Sequence, residues 1–190
     1  SAIVLASGMS KRMKQNKLFL KLNDKMIFEY ILDTIKEVKF DEVLVVTRFE
    51  EIEIYSKKLG YKIIHNKEYF KGQASSIRLG VENAKKNNDY IFFVADQPLI
   101  KVDTINKILN FFESEKKQII IPIYEGEKGN PIIFSKEFRN GLLALQGDTG
   151  GSKVTKENME SVKEIIINNK ENMDIDTLED YENIRREYER

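Results

Sequence analysis

The sequence predicts an α/β protein with a three-layer α/β/α architecture and a mostly parallel sheet. Apolar runs of strand length alternate with amphipathic helical patterns from residue 3 to residue 123. The run at residues 43–46 is continuous and rich in β-branched side chains, which is typical of a parallel strand buried on both faces. We therefore expect right-handed β-α-β crossovers between successive strands.

Each element has its own signal along the chain. The first apolar run breaks at Gly8, and apolar residues from Ile27 to Val38 then recur at helical spacing. A charged helical stretch ends before Gly60, a residue type that favours a helix C-terminus. Besides the run that begins at residue 3, the predicted strands are residues 43–46, 61–64, 90–95 and 119–123, and the later predicted helices are residues 50–59, 75–84 and 104–112.

The pattern loosens after Gly126, where glycine-containing loops interrupt short elements. Ligands of open α/β sheets bind outside the carboxyl ends of the strands, and later irregular segments often wall such a site. We expect the loops at residues 129–131 and 147–151 to hold a second substrate.

Length and charge narrow the class of protein. The 190 residues suit one domain, so we expect a single domain over residues 1–190. The 31 basic and 31 acidic residues cancel, which favours neither a nucleic-acid partner nor a membrane partner. No apolar run approaches the length of a membrane span, and there is no cysteine. We expect a cytoplasmic protein without disulfides or thiolate chemistry.

The loop after the first strand carries the strongest functional signal. It contains Gly8 together with Ser7, Ser10, Arg12 and Lys17. Backbone N–H groups of such a loop can bind phosphate oxygens, and Arg and Lys add positive charge at the same point. The loop matches neither the Walker A pattern nor G-x-G-x-x-G, and a basic surface turn is the alternative interpretation. The ligand we infer is a nucleoside triphosphate.

Asp96 is a candidate metal ligand, whereas a second acidic segment has a structural interpretation. Asp96 ends the apolar run at residues 90–95, and Pro98 prevents the strand from continuing. A carboxylate at this edge can hold Mg²⁺ against triphosphate oxygens, although a turn Asp that caps local backbone is the alternative. Asp176 with Glu179 is a near match to a helix capping box, which alone could explain that pair.

Several other residues have a structural interpretation. Gln73 opens a predicted helix, where Ser75 or Ser76 could act as N-cap residues. Gly147 could simply be a turn glycine. The only histidine, His65, has no carboxylate partner that the sequence identifies, so we interpret it as structural.

Several of these segments resemble one family. Residues 3–13 with Lys17 resemble the signature loop of the nucleotidyltransferases that share the molybdenum cofactor nucleotidyltransferase fold, of the form L-x-x-G-x-S-x-R-M followed by Lys. Asp96 and Pro98 resemble the acid-x-Pro motif of that family. Residues 174–181 resemble its D-I-D-T-P-E-D-Y segment, with Leu178 in place of the proline.

Other segments point to the cytidylyltransferase branch. Residues 72–80 resemble G-Q-S-S-S-L-R-x-G, residues 129–134 resemble G-H-P-V-L-F, and residues 147–150 resemble G-D-x-G. Two departures stand out, because Asn130 replaces the histidine and Lys14 stands where family loops usually have glycine.

The resemblance to a molybdenum cofactor cytidylyltransferase implies a Rossmann-like sheet of the nucleotide-diphospho-sugar transferase type. It also implies transfer of CMP from CTP to the terminal phosphate of molybdenum-bound molybdopterin, with Mg²⁺ as cofactor and release of pyrophosphate. The implied catalytic residues are Arg12, Lys17 and Asp96, and the implied metal ligands are Asp96 and Asp176. The implied nucleotide-binding residues are Leu5, Ala6, Ser7, Gly8, Ser10, Arg12, Lys17, Gln73 and Ser75, and the implied acceptor-binding residues are Asn130 and Asp148.

Alternatives remain open at this point. The enzyme could use GTP or another phosphorylated acceptor, and a non-catalytic molybdopterin carrier is the alternative from a different class. The expected partners are CTP or another nucleoside triphosphate, the molybdopterin cofactor and, as an open possibility, a molybdenum hydroxylase apoenzyme that receives the product.

Overall fold

The computed structural model describes residues 1–9, 16–115 and 117–188. The strands are β1 (Ala2–Ala6), β2 (Lys21–Leu22), β3 (Lys25–Met26), β4 (Val43–Thr47), β5 (Lys62–His65), β6 (Tyr90–Val94), β7 (Ile119–Tyr124), β8 (Glu127–Lys128), β9 (Ile132–Phe134) and β10 (Val162–Ile167). The α-helices are α1 (Ile27–Lys36), α2 (Glu50–Lys58), α3 (Gln73–Asn83), α4 (Val102–Ser114), α5 (Arg139–Leu143), α6 (Ser152–Glu157) and α7 (Leu178–Tyr188).

A mostly parallel sheet forms the centre of the fold, as predicted. Its strand order is β10-β7-β9-β6-β1-β4-β5, and β8 pairs with β7 at its margin. β1 is parallel to both β4 and β6, and β10 is parallel to β7. β9 is antiparallel to both of its neighbours, β6 and β7. This inserted strand lies in the part of the chain where the sequence pattern loosened.

Helices cover both faces of the sheet. Successive β1 residues alternate between two cores, because Ile3 packs in one cluster and Val4 in the other. Val4 shares its cluster with buried residues of α1, α2 and α4, and Ile3 shares its cluster with buried residues of α3, α5 and α6. The predicted three-layer arrangement of helices around the sheet is therefore present.

β1 lies at the point where the chain changes direction across the sheet. The crossover through α1 leads to β4 on one side of β1, and the later crossover through α3 leads to β6 on the other side. The pairing register places Ala6 beside Thr47 and Leu5 beside Val94, so the three strands end at the same edge. Ligands of open α/β sheets bind in the crevice at such a switch point.

The C-terminal segment returns to this edge. The Ile175 backbone N–H donates to the Asp96 carbonyl over 3.3 Å, and the Ile175 side chain is fully buried. This bond ties the segment before α7 to the loop after β6. Among the described helices, none combines the length and apolarity that crossing a bilayer would require.

Candidate active site

The Lys17 ammonium joins two carboxylates that come from distant parts of the chain. Its Nζ lies 2.5 Å from Asp96 Oδ2 and 2.6 Å from Asp176 Oδ1. Lys17 begins a 3₁₀ turn, Lys17–Phe19, in which the Asn16 side chain accepts a hydrogen bond from the Leu18 N–H. The structure thus brings together three residues that the sequence suggested separately.

Both burial and charge act on Lys17. Only 13% of its side chain is exposed, and this burial lowers its pKa. Asp96 and Asp176 oppose that effect and raise the pKa of Lys17 above its ordinary value. Lys17 is therefore a full positive charge held at the carboxyl edge of the sheet.

Asp174 is a third carboxylate of this site, and sequence reasoning did not select it. Burial, followed by the nearby Asp96 charge, raises the pKa of Asp174 to about 6, while a hydrogen bond with Gln97 opposes the rise. The signal that could have found Asp174 is its spacing from Asp176. In an extended segment, alternate residues face the same side, and the intervening Ile175 is buried.

The cap of α7 differs from the predicted one. The Asp180 carboxylate accepts hydrogen bonds from the Thr177 N–H at 2.7 Å and from the Asp176 N–H at 3.1 Å. The Asp180 N–H in turn donates to the Thr177 hydroxyl over 3.1 Å. The capping box is therefore Thr177 with Asp180, and the predicted pairing of Asp176 with Glu179 is wrong. This register leaves the Asp176 carboxylate to face Lys17.

A pocket of about 270 Å³ lies beside the carboxylates. Its lining includes most of the predicted nucleotide-binding residues. They are Leu5, Ser7, Gly8, Lys17 and Gln73. The predicted metal ligand Asp96 and the predicted acceptor-binding residue Asp148 also line this pocket. A wider cleft of about 530 Å³ continues from it and adds Asn130, Asp174 and Asp176 to the wall. Ser10 and Arg12, which were predicted to bind the nucleotide, lie outside the described residues, as does Lys14.

Two predicted nucleotide-binding residues within the described chain lie behind the pocket wall. Ala6 is buried in β1, and its carbonyl accepts a hydrogen bond from the Thr47 hydroxyl at 3.1 Å. The Ser75 hydroxyl donates to the Gly72 carbonyl at 2.9 Å and accepts a hydrogen bond from the Asn66 side-chain amide at 3.0 Å. A direct contact of Ser75 with a nucleotide stays a prediction.

The N-terminus of α3 also differs from the sequence expectation. The helix begins at Gln73 with Gly72 as its N-cap, so the expectation that Ser75 or Ser76 caps it is wrong. The Asn66 amide donates to both serine hydroxyls, at 3.0 and 2.9 Å, and Asn66 is fully buried. Asn66 is therefore a supporting residue of this wall that sequence reasoning missed.

The loop that carries Asp148 docks onto this helix end. The Asp148 carboxylate accepts a hydrogen bond from the Gln73 N–H at 3.2 Å, and the Gly147 carbonyl accepts one from the Ala74 N–H at 3.3 Å. An acidic side chain at a helix N-terminus is favourable because the free N–H groups carry partial positive charge. Asp148 thus has a structural role here, and its predicted contact with the acceptor stays a prediction.

Asn130 lies between two clefts. It lines the 530 Å³ cleft and also a neighbouring cleft of about 580 Å³ that contains Gln97, Tyr124, Lys128 and Asp174. The Tyr124 hydroxyl donates to the Asn130 carbonyl at 2.7 Å. The structure therefore places Asn130 beside the carboxylates, where a second substrate could enter.

The carboxylates fit a metal that is shared with a bound ligand. Within the described residues, no group of three or more histidine, cysteine or acidic side chains is arranged to hold a metal ion by itself. Mg²⁺ usually takes one or two protein carboxylates and completes its shell with phosphate oxygens and water. Asp96 and Asp176 supply that number of carboxylates, and the Lys17 ammonium lies between them.

His65 has a carboxylate partner that the sequence did not identify. Its Nδ1 lies 2.6 Å from Glu53 Oε1, and about half of the His65 side chain is exposed. His65 ends β5, which is separated from β6 by β4 and β1.

The fold and a family match together identify a nucleotidyltransferase enzyme. The family described as "MobA-like NTP transferase domain" matches residues 2–162, and the chain belongs to this family. The "Purine catabolism protein PucB" of Bacillus subtilis (strain 168) is 29% identical over an alignment 199 positions long, which covers 97% of this chain and 95% of that protein.

Two other relatives carry different nucleotide names. A "Probable molybdenum cofactor guanylyltransferase" of Natranaerobius thermophilus is 31% identical over 127 residues, 66% of this chain and 61% of that protein. The "Molybdenum cofactor cytidylyltransferase" of Escherichia coli (strain K12) is 26% identical over 137 residues, 70% of this chain and 69% of that protein.

A solved structure shares the fold over nearly the whole chain. It is the complex of Rv0371c with manganese from Mycobacterium tuberculosis H37Rv, and it has a TM-score of 0.80 with 20% sequence identity, covering 97% of each chain.

Proposed function

We propose that this enzyme transfers CMP from CTP to the terminal phosphate of molybdenum-bound molybdopterin and releases pyrophosphate. The observation that carries the proposal is the contact of Lys17 with both Asp96 and Asp176 at the edge where β1 and β6 end. This contact supports a site that combines one fixed cation with two candidate metal ligands. The site adjoins the 270 Å³ pocket, whose lining includes most of the predicted nucleotide-binding residues.

The bond changes require little covalent chemistry from the protein. An oxygen of the acceptor phosphate attacks the α-phosphorus of CTP, and the bond to the bridging oxygen breaks so that pyrophosphate leaves with that electron pair. The acceptor oxygen is already anionic, so no general base is needed. The protein must align the reactants and neutralise the charge on the phosphates.

The residues of the site suit these tasks. We assign Lys17 and the backbone N–H groups near Gly8 to the triphosphate, where positive charge stabilises the leaving pyrophosphate. Asp96 and Asp176 would hold Mg²⁺, which when bound supplies a Lewis acid and a template for the phosphates. A single domain of this kind would hold both reactants on one sheet edge.

The two clefts suggest where the substrates lie. Gln73 lines the 270 Å³ pocket, and its side-chain amide offers a donor and an acceptor to a base or a ribose. Asn130 lines the 530 Å³ and 580 Å³ clefts but is not part of the 270 Å³ pocket lining, so we assign the acceptor to the 580 Å³ cleft. We further propose a molybdenum hydroxylase apoenzyme as the recipient of the product.

GTP is the alternative donor. One molybdenum cofactor relative is named a guanylyltransferase and the other a cytidylyltransferase, so their names do not decide between GTP and CTP. The fold, the metal ligands and the role of Lys17 would be the same with GTP, and only the base contacts would differ.

Thermal unfolding with CTP, GTP, ATP and UTP, each with and without Mg²⁺, tests this proposal. A ligand at a hundred times its dissociation constant adds about 2.7 kcal/mol to the free energy of unfolding. We expect a Mg²⁺-dependent rise in the melting temperature that is largest with CTP. A rise that is largest with GTP would replace the proposed donor, and no rise with any triphosphate would contradict the assigned site.

A further inference from the structure

The Lys17 ammonium occupies the space between the two carboxylates that we assign to the metal. Its Nζ makes contacts of 2.5 Å and 2.6 Å with Asp96 and Asp176, and its side chain is largely buried. A Mg²⁺ ion needs oxygen ligands at about 2.0–2.1 Å. The ammonium therefore already contacts carboxylate oxygens that would be needed to hold a metal ion.

We infer that Lys17 is a resident counter-ion that a metal–triphosphate complex displaces, so that the divalent cation enters the site bound to the nucleotide. In the free enzyme, Lys17 holds Asp96 and Asp176 at a common point. When the metal–triphosphate arrives, the ammonium turns from the carboxylates to the phosphates. This inference rests on the proposed function, because it uses the assigned metal ligands.

The charges of the site explain why the metal alone is a poor ligand. Free metal would have to remove a largely buried ammonium from both carboxylates, and breaking the ion pairs of a largely buried charge is strongly unfavourable. A triphosphate supplies new anionic partners for Lys17 at the same moment. Lys17 lines both the 270 Å³ pocket, to which we assign the nucleotide, and the adjoining 530 Å³ cleft, so new anionic partners would be within its reach.

A Mn²⁺ titration followed by electron paramagnetic resonance, without nucleotide, tests the inference. Lys17→Gln leaves the two carboxylates without this counter-ion, so we expect it to bind free Mn²⁺ at least about tenfold more tightly than the native protein, a change of about 1.4 kcal/mol. Lys17→Arg keeps the charge and should retain the native affinity. The matched control is Lys25→Gln. Lys25 also forms an ion pair, with its Nζ 2.5 Å from Asp33 Oδ2, but its side chain is half exposed and lies outside the site.

The same titration with CTP present should give the opposite order. We expect Lys17→Gln to bind the Mn²⁺–CTP complex at least about tenfold more weakly than the native protein. Unchanged or weaker binding of free Mn²⁺ by Lys17→Gln would overturn the inference. If Lys17→Gln does not fold, the test uses the native protein alone. Equal affinities of the native protein for free Mn²⁺ and for Mn²⁺–CTP would then overturn the inference.

Different results would contradict the proposed function and the counter-ion role of Lys17. If Lys17→Gln binds free Mn²⁺ more tightly and the native protein binds Mn²⁺–GTP but not Mn²⁺–CTP, the counter-ion role is supported and the proposed donor is contradicted. Normal nucleotide transfer by the native protein with unchanged free Mn²⁺ affinity in Lys17→Gln would support the proposed function and overturn the counter-ion role.

Discussion

Lys17 connects the sequence signal to the chemistry of the site. The signature loop suggested a phosphate contact, and the structure adds that the ammonium lies against two carboxylates from other parts of the chain. Their charges raise its pKa, so Lys17 stays protonated through the neutral range. A permanent cation in a largely buried position stabilises developing negative charge better than an exposed one, because water screens it less.

Removal of the Lys17 charge should slow the reaction. A charge-assisted hydrogen bond contributes about 1.5–3 kcal/mol, and each 1.4 kcal/mol corresponds to about a tenfold change in rate. We expect Lys17→Ala to lower turnover at least about tenfold in a pyrophosphate-release assay. Lys25→Ala serves as the control with native turnover, and a Lys17→Ala enzyme with native kinetics would refute the assigned role.

Helix α7 positions Asp176 through a cap that is one residue later than the sequence pattern suggested. Thr177 and Asp180 satisfy each other's backbone groups, and the Asp180 carboxylate also holds the Asp176 N–H. A metal-ligand candidate is thus fixed by its neighbours while its own carboxylate faces Lys17.

Loss of this cap should lower stability. Replacement of an N-cap threonine by alanine costs about 1 kcal/mol. We expect Thr177→Ala to reduce the free energy of unfolding in urea by about that amount, whereas Thr177→Ser keeps the hydroxyl and should stay close to the native value. Equal stability of the alanine and serine variants would show that the hydroxyl does not cap the helix.

Gly72 lets the loop that carries Asp148 approach the start of α3. Its φ is +89°, and a Cβ at this position would lie 2.5 Å from the Gly147 carbonyl oxygen. Only glycine combines that backbone conformation with so close an approach.

Substitution of Gly72 should therefore destabilise the protein. We expect Gly72→Ala to lower the free energy of unfolding by about 1–3 kcal/mol or more. The cost of the strained backbone and the cost of the contact between the new Cβ and the Gly147 carbonyl oxygen add to each other. Gly126→Ala is the matched control, since Gly126 has a φ of +90° and no atom lies within 4 Å of its Cβ position. A larger loss in Gly126→Ala than in Gly72→Ala would contradict the role of the close approach.

The architecture of the whole molecule could largely be predicted from the sequence. Continuous apolar runs become β4 and β6, and such strands are buried on both faces only between two layers of helices. Asp96 could be predicted as well, since Pro98 ends a buried strand at a known edge. The antiparallel insertion of β9 could not, because its short apolar run fits either strand direction.

The arrangement of the site was harder to predict than its members. Lys17 and Asp176 are 159 residues apart, and no local pattern shows that their side chains meet. Asn66 supports α3 through hydrogen bonds between side chains, and the pairing of His65 with Glu53 links a strand to a helix. Such contacts depend on how elements pack, which periodicity does not specify.

We propose that the enzyme joins a nucleotide to the molybdopterin phosphate and that Asp96 holds the metal for this reaction. The most direct test is pyrophosphate release from CTP or GTP with molybdenum-bound molybdopterin, measured for the native protein and for Asp96→Asn. We predict release that requires both the acceptor and Mg²⁺ and that falls at least about a hundredfold in Asp96→Asn, since a lost metal contact removes several kcal/mol of charge stabilisation. Pyrophosphate release at the same rate with and without the acceptor would contradict the proposed reaction. Equal release by the native protein and by Asp96→Asn would contradict the role of Asp96.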